Sequence, residues 1–599
     1  MSQIRRQSVP PLSEKVQKRL KQMVKKARYG SRLHEYRLKG KHPLRLLGTP
    51  KDPWAGSVAA GSHILANRFY CEGHILRNPG PDSGDEKGDW PDGSVWQATD
   101  LSLHWQRHLQ SFSWLRDLNR AVDRKAARDK AMALTGGWLE KFDTWQELAW
   151  APDILGQRLV HWMAYAPLIL DSTDLVYRST LLNCLARQAR HLYQAADDPL
   201  RGLARFQAIG GLVMAGLYVP YGESWLKKGT TLLKAALAQE ILADGGLRSR
   251  NPEDLYQVLR VLLLVRASYR RMGHAIPDPL AAALPRMIAL LKSLLLGDGR
   301  LASFNGSRPQ SARDMADLLD FATDINETPP QLDAEKSGFR RLHQGTTVVI
   351  LDSGPPADRD FSPACHAGTL SFEMSSGKQR LIVNCGSAGP LGGGAEADIV
   401  RLSRSTAAHS TLILNDKNSS EICPDGLIGY GPSLVSSLRT VTDGHSLLET
   451  SHDGYLGRFG LMHYRTLYMN EAGDDIRGED VVERQKNSGK FAAMTPKFDL
   501  RFHLHPGVTV TRQGTAEGAA DRLLLSLSGF GSGPGSELGS GRQSEFWQFH
   551  CSGAELAVEE SLYLGQGARR QSSRQIVLSG RVRDIKTVIK WSLHRIDHQ

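Results

Sequence analysis

Cysteine is scarce in this chain, with six residues in 599, at positions 71, 184, 365, 385, 423 and 551. No two of them have the close spacing of a paired metal-binding motif, and their number is far below that of a disulfide-rich secreted domain. This usage fits a reducing compartment better than an oxidising one. Packing as small buried residues is the favoured role for Cys365 and Cys385.

Long apolar runs are absent as well. No stretch reaches the length of a membrane-spanning helix, the nearest being residues 208–219. The first 45 residues contain no apolar run longer than two residues, so they lack the core of a secretory signal. We therefore expect a cytoplasmic protein, with the periplasm or cell envelope as the alternative.

Acidic residues are nearly missing from residues 1–45, which hold 14 Lys and Arg against Glu14 and Glu35 alone. The formal net charge of the whole chain is +12, so the remaining residues are electrically balanced. A basic arm on a neutral body suits contact with an anionic surface such as a membrane. No base-reading motif accompanies it, so we expect no sequence-specific nucleic-acid partner.

The basic arm also carries apolar residues at helical spacing, which predicts an amphipathic helix. Docking of this helix on the first domain is favoured over membrane or nucleic-acid binding. The apolar residues are Leu12, Val16, Leu20, Met23 and Val24.

Helical periodicity dominates from about residue 101 to residue 296 and predicts a helical-hairpin array. Periodicity alone leaves a bundle, a solenoid and a toroid open. Two of the helices are followed by Asp-Gly turns near Gly245 and Gly299, where a left-handed glycine would stop the helix. The predicted helices are Asp153–Leu170, Leu175–Ala195, Gly202–Leu217, Ser224–Ile241, Asp254–Arg271 and Pro279–Leu296.

From about Arg340 the apolar pattern changes to a period of two, with many short strands separated by turn residues. This pattern predicts an antiparallel β-sandwich. The expected fold class is therefore α+β and multidomain, with helices first and the sandwich second. The expected boundaries are a basic arm over 1–45, a helical domain over 46–310, a linker over 311–339 and the sandwich over 340–599.

Three polar side chains are expected to meet at one end of a β-hairpin in the sandwich. Strands over 369–374 and 380–383 flank a turn at residues 375–378, so His366 and Asn384 should lie side by side at the outer end. His409, which opens a further strand, could complete the cluster. Two imidazoles together suit proton transfer or metal binding near neutral pH.

These residues carry a family resemblance. The segments 366–372 (HAGTLSF), 382–386 (IVNCG) and 408–411 (AHST) resemble the C-terminal half of heparinase II/III-like polysaccharide lyases, and residues 111–118 and 244–252 add to the likeness. The resemblance implies an N-terminal α/α toroid before the antiparallel β-sandwich. It also implies β-elimination at a uronic acid, with an acidic polysaccharide or oligosaccharide as the substrate.

The resemblance suggests catalytic roles for Tyr256, His366 and His409. In the family the catalytic tyrosine stands two residues after the proline, where this chain has Asp254, and Tyr256 lies two positions further along the helix. Because a helix turns by about 100° per residue, Tyr256 should face away from the position that a family tyrosine occupies. A tyrosine packed between helices is the alternative.

Substrate binding is expected from the loop before this helix, which carries Arg248, Arg250 and Asn251. Cationic side chains beside the free N–H groups of a helix start suit an anionic sugar. In contrast, His161, Arg116 and Asp117 are expected to be structural.

Relatives place a zinc-binding His, Asp and His where this chain has His366, Asn384 and His409. Asparagine carries no charge and is a poor zinc ligand, so we expect weak zinc binding or none, and no other cofactor is indicated. A family histidine shortly before His366 is replaced by Ala364. These departures favour a second interpretation, a catalytically degenerate glycan-binding or scaffolding protein of envelope or capsule polysaccharide metabolism.

Overall fold

The chain is described here by a computed structural model. It covers residues 20, 23–71, 74–76, 94–98, 101–198, 200–325, 328–388, 395–485, 494–513, 522–527, 545–566 and 569–596. No helix among these residues is both long and apolar enough to cross a membrane.

The N-terminal part is helical, and the predicted helical array is confirmed. Its one internal difference is at Tyr165, where the predicted Asp153–Leu170 helix divides into two pieces, the second of which begins with an Ala-Pro pair. The described helices of this part are Arg32–Leu38, Val58–Leu65, Leu103–Ser111, Leu115–Leu118, Arg124–Phe142, Pro152–Ala164, Ala166–Ile169, Leu175–Ala195, Gly202–Tyr218, Glu223–Glu240, Pro252–Arg271, Asp278–Ser293 and Ala312–Phe321.

The glycines expected to stop two of these helices have a different role. The helices end at Glu240 and Ser293, several residues before Gly245 and Gly299. Both glycines have positive φ, +88° and +71°, inside small turns. A single β-bridge closes each turn, Ile241 to Leu247 in one and Leu295 to Leu301 in the other.

The C-terminal part forms two antiparallel sheets, which confirms the predicted sandwich. One sheet has the order Val508–Gln513, Arg522–Leu527, Glu545–Ser552, Lys586–Ile596, Asp475–Arg484, Leu461–Met469, His445–His452 and Val435–Thr442. The other has the order Glu555–Gln566, Arg569–Arg581, Lys497–Leu504, Gln379–Val383, Phe372–Ser376, Thr347–Asp352, Phe339–Gln344 and Asp333–Ala334, with Leu412–Leu414 paired to Lys497–Leu504. Short helices Ala395–Ser403 and Leu456–Phe459 and a hairpin of Phe69–Cys71 with His74–Leu76 complete the described elements longer than a 3-10 turn.

The protein has two apolar cores, both filled by aromatic side chains: one lies in the helical part and extends to Phe339, Val348 and Ile350 of the sandwich, and the other lies inside the sandwich. In the helical part Trp138 and Trp162 are fully buried and meet edge to face at 5.2 Å. In the sandwich Phe372 of one sheet stacks on Trp591 of the other at 5.6 Å. Burial of large apolar side chains on both sides of each layer is what holds these layers together.

Ion pairs, and hydrogen bonds from side chains to backbone carbonyls, join the toroid to the sandwich. Arg250, at φ +54°, forms a buried ion pair with Asp352 and donates from Nε to the Ser337 carbonyl at 2.8 Å. Arg380 reaches from the sandwich hairpin to Asp298 at 2.8 Å. The Arg250 contacts fix the start of the Pro252–Arg271 helix against the sandwich, and the Arg380 pair holds the turn that follows the Asp278–Ser293 helix.

The N-terminal arm is described only in part, because Leu12 and Val16 of its predicted stripe lie outside the described residues. The three described members, Leu20, Met23 and Val24, are 59%, 68% and 59% exposed. Contact with the toroid begins with an ion pair between Lys25 and Asp198 at 2.6 Å and continues with the buried Tyr29 and the Arg32–Leu38 helix, which packs on Leu175–Ala195. The apolar stripe therefore faces outward where the structure describes it.

Candidate functional site

A cavity of about 530 Å³ opens in the toroid among five helices, one of them the short Leu115–Leu118. The helices Pro152–Ala164 and Gly202–Tyr218 are in backbone contact at Gly156 and Gly211. A Cβ added to either glycine would lie 2.3 Å from a backbone atom of the opposite helix. The lining residues are Trp54, Cys71, His104, Arg107, His108, Ser111, Ser113, Arg116, Gly156, Gln157, Val160, His161, Leu203, Gln207, Gly210, Gly211, Met214, Glu253, Asp254, Gln257, Arg260, Val261, Leu264, Val265 and Arg308.

Arginine and histidine side chains set the electrostatic properties of this cavity. Arg116 pairs with Asp52 at 2.8 Å, and its Nη2 lies 3.4 Å from Nε2 of His161. The other ring nitrogen of His161 lies 3.0 Å from the Ser111 carbonyl, which makes Nδ1 the donor and leaves Nε2 unprotonated. Burial, with the Arg116 charge, lowers the pKa of His161 to about 4, so this imidazole is neutral at pH 7.

Of the arginines that line this cavity, Arg260 has no carboxylate partner within the described residues. The cavity arginines 107, 116 and 308 pair with Asp153, Asp52 and Glu253, respectively. Within the described part of the chain Arg260 makes no ion pair, and its Nε has no hydrogen-bond partner. Its guanidinium lies 4.9 Å from the centroid of the Trp54 ring. An arginine in this setting can bind a carboxylate through two N–H groups.

Asp254 faces the same cavity from the first turn of the Pro252–Arg271 helix. Burial raises the pKa of this carboxyl to about 6, and the neighbouring Glu253 charge adds to the rise. A carboxylate with a pKa near the working pH can remove a proton and give it back, which is what a general base and acid must do. Its raised pKa and its place in a cavity mark Asp254 as a functional candidate.

Tyr256 occupies a different environment. It is buried in the toroid core, its ring centroid is 5.5 Å from the Arg260 guanidinium, and burial raises the pKa of its hydroxyl. Tyr256 is not among the described residues that line the cavity.

The three residues predicted to bind substrate are engaged in structural contacts. Arg250 spans the toroid and the sandwich through Asp352, as described above. Asn251 caps the Pro252–Arg271 helix, its Oδ1 accepting from the N–H groups of Glu253 and Asp254. Arg248 is exposed and pairs with Asp358 at 3.2 Å.

The predicted hairpin is confirmed, with strands Phe372–Ser376 and Gln379–Val383 around a two-residue turn. His366 and His409 meet through a 3.0 Å contact between Nδ1 of His366 and Nε2 of His409. Nδ1 of His409 lies 2.7 Å from the Ser405 carbonyl, so Nε2 of His409 is the acceptor and Nδ1 of His366 the donor. Burial lowers the pKa of His409 to about 4 and that of His366 well below its usual value, which keeps both rings neutral.

Asn384 lies beside this pair but is committed elsewhere. Its Oδ1 accepts from the Ser410 N–H at 3.0 Å, and its Nδ2 donates to the Ser303 carbonyl at 3.4 Å. Among the described residues there is no group of three His, Cys, Asp or Glu side chains that could hold a metal ion. The two imidazoles and one amide offer zinc a weaker ligand set than two imidazoles and a carboxylate.

The toroid cavity is what reasoning from the sequence missed. His161 and Arg116 were expected to be structural, yet both line it. Gln207, Arg260 and Arg308 carried no sequence signal, because they come from three separate segments of the chain. The one signal available was Asp254, which stands in the sequence where the family resemblance expects a tyrosine.

Comparison with known proteins agrees with this architecture. Residues 326–592 match the family model described as heparinase II/III-like, C-terminal. Over 588 residues the chain is 29% identical to FtsZ-localized protein C of Caulobacter vibrioides (strain NA1000 / CB15N), covering 96% of this chain and 94% of the relative.

Solved structures share the fold over nearly the whole length. Heparinase III superposes with a TM-score of 0.69 at 11% identity, covering 94% of this chain and 89% of that one. The heparan sulfate lyase HepC from Pedobacter heparinus gives a TM-score of 0.58 at 16% identity, covering 90% of this chain and 83% of that one. Residues 326–592 therefore match the heparinase II/III-like C-terminal domain, and the whole chain shares the toroid-plus-sandwich fold of these solved structures.

Proposed function

We propose that this protein binds a uronate-containing polysaccharide in the toroid cavity and cleaves it by β-elimination. The observation that carries the proposal is the cavity itself, in which the Asp254 carboxyl, with its raised pKa, shares the lining with Arg260 and His161. The family fold supports the same reaction class.

β-Elimination at a uronate needs three things from the protein. The sugar carboxylate must be neutralised, the C5 proton removed and the leaving oxygen protonated. We assign neutralisation to Arg260, whose guanidinium has no carboxylate partner in the described chain. The negative charge that develops next to C5 is then held by a cation already in position.

Asp254 is assigned the proton transfers. Its carboxylate takes the C5 proton, the C5–H electron pair becomes the C4–C5 double bond, and the C4–O4 bond breaks with its electrons leaving on oxygen. The protonated Asp254 then returns that proton to O4 when the C5 hydrogen and O4 lie on one face of the ring. The products are an unsaturated uronate and a free hydroxyl, so no water or oxidant is consumed.

The first test is the ultraviolet absorbance of the unsaturated uronate, with heparan, chondroitin, hyaluronan, alginate and bacterial capsular polysaccharides as substrates. We expect absorbance to rise for at least one polymer with the parent protein and to stay flat with Asp254→Asn. The exposed Asp320→Asn, which lies on another helix, is the matched control and should keep the parent rate. Equal rates for Asp254→Asn and the parent would remove Asp254 from the mechanism.

His366 and His409 keep the catalytic role predicted for them as a separate hypothesis. Substitution of either by alanine is expected to abolish elimination. The fair control is His452→Ala, because His452 forms a comparable buried pair with His463 at 3.2 Å elsewhere in the sandwich. If His452→Ala lost as much activity as His366→Ala, the loss would reflect folding and the hypothesis would fail.

A second candidate function is a non-catalytic glycan-binding or scaffolding protein. The observation that favours it is the full-length likeness to a protein named for its localisation with FtsZ, together with the aspartate at the expected tyrosine position. Flat absorbance on every polymer, with measurable binding to one of them and co-sedimentation with FtsZ polymers, would support this function over the lyase.

The basic arm is proposed to contact an anionic membrane surface in either case. Residues 1–45 carry a net charge of +12, and Leu20, Met23 and Val24 are exposed beside that charge. Flotation with phosphatidylserine vesicles should retain the whole chain at low salt, release it at high salt, and fail for the chain lacking residues 1–45. Binding that survives the deletion would rule this contact out.

A further inference from the structure

A second cavity, of about 630 Å³, lies against the first. Trp54 and Arg116 line both cavities, so the two spaces are separated by the thickness of one side-chain layer. Both volumes fall in the range of about 300–1,000 Å³ that is usual for ligand sites.

The two cavities lie end to end along the toroid helices. The Pro252–Arg271 helix lines the first cavity from Glu253 to Val265 and reaches the second at Arg271. The Pro152–Ala164 helix does the same, lining the first cavity at Gly156 and the second at Ala164. The second cavity therefore continues the first along both helices, on the other side of Trp54 and Arg116.

The second cavity is basic, and three of its cationic side chains have no carboxylate partner within the described residues. Lys51, Arg120 and Arg271 line it, are exposed, and form no ion pair within the described residues. Asp52 is the carboxylate among the described lining residues, and it is already satisfied by Arg116 at 2.8 Å and by the Tyr165 hydroxyl at 2.8 Å. The field in this space therefore favours a negatively charged ligand.

We infer that the second cavity binds further anionic saccharide units of the chain whose uronate occupies the first, so that the site is built for oligosaccharides longer than a disaccharide. This inference rests on the proposed function. It assigns Lys51, Arg120 and Arg271 to the recognition of carboxylate or sulfate groups one or more units away from the reacting sugar.

The test compares uronate-containing disaccharide with octasaccharide of the same polymer, measured by calorimetric titration at a fixed low salt concentration. For the parent protein we expect tighter binding of the octasaccharide. In the triple variant Lys51→Ala, Arg120→Ala, Arg271→Ala that gain should fall by about tenfold, since three exposed charge contacts are lost. Affinity for the disaccharide should not change.

The matched control is Lys227→Ala, Lys234→Ala, Arg313→Ala, which removes three exposed positive charges that line neither cavity. If this control loses the same gain, the effect is general electrostatics and the inference is wrong. Disaccharide binding without any gain for the octasaccharide would also overturn it, while the proposed function would stand. If the parent binds neither saccharide, the proposed function fails and this inference fails with it.

Discussion

Burial sets the charge state of Asp254, the third residue of the Pro252–Arg271 helix. A carboxylate in the first turn of a helix is usually favoured by the helix dipole, which would lower its pKa. Here burial outweighs that effect, and the pKa rises to about 6. A residue that costs stability when ionised, at a position facing a cavity, is more easily explained by chemistry than by folding.

The pH dependence of stability follows from this pKa. A folded-state pKa above the unfolded value means that the native state holds the proton more tightly, so the stability penalty appears as pH rises from about 4 to about 6 and is complete above that. Asp254→Asn should therefore unfold at the same temperature as the parent near pH 4 and be more stable at pH 7.5, by about 1–3 kcal/mol. Thermal unfolding at the two pH values measures this difference, and an equal difference at both would contradict it.

Activity should follow the same ionisation in the opposite sense. The carboxylate is the base, so the elimination rate is expected to rise with pH through about 6 and then level off. Initial rates between pH 4.5 and 8 measure the profile. A rate that falls across this range would assign the base role to another group.

At the scale of single elements, the cavity depends on how closely two helices approach. Gly156 and Gly211 let the Pro152–Ala164 and Gly202–Tyr218 helices touch at their backbones. Because the two helices are in contact through glycines, the longer side chains nearby, such as His161, surround the cavity next to the crossing. The sequence predicted both helices, but their periodicity carried no information about which residues would face the cavity.

Gly156→Ala is expected to destabilise the protein by about 1–3 kcal/mol, because the added Cβ would lie 2.3 Å from the Gln207 carbonyl oxygen. Gly136→Ala is the control, since its Cβ would meet only a Tyr177 ring atom at 3.9 Å in the interior of the Arg124–Phe142 helix. That control should be neutral or stabilising by up to about 1 kcal/mol. Chemical denaturation of both variants provides the comparison, and similar midpoints would contradict the close crossing.

At the scale of the whole molecule, the toroid and the sandwich meet through buried polar contacts. Arg250 joins the helix start at Asn251 to Asp352 of the sandwich, and Asn305 binds the same carboxylate at 3.2 Å. The predicted linker 311–339 contains the helix Ala312–Phe321 and so packs as part of the structure. The position of the cavity relative to the His366–His409 pair depends on these contacts.

Arg250→Met should destabilise the protein by about 3–5 kcal/mol, because it leaves the buried Asp352 carboxylate without its cation. Arg248→Met removes an exposed pair with Asp358 and should cost about 1 kcal/mol or less. Calorimetry should show the toroid and sandwich transitions separating in the first variant only. Identical scans for both variants would show that Arg250 does not join the two parts.

Several properties followed from the sequence alone. The period of 3.6 predicted six helical stretches with ends within three residues of those observed, the period of two predicted the sandwich, and the run from His366 to Asn384 predicted the hairpin. These patterns are readable because each is set by neighbours in the chain: an apolar face must recur at the repeat of its own helix or strand. The same pattern predicted His366 and Asn384 at one end of this hairpin, with His409 able to complete the cluster; the direct contact of His366 with His409 comes from the tertiary structure.

The tertiary structure alone decided what each polar residue can do. Arg250 and Asn251 were expected to bind substrate. In the structure Arg250 joins the toroid to the sandwich, and Asn251 caps the Pro252–Arg271 helix. Arg116 and His161 were expected to be structural and line the cavity, while the pKa of Asp254 is raised mainly by burial in the folded toroid. Burial, ion pairing and access to a cavity all depend on residues distant in the chain, so no local pattern can report them.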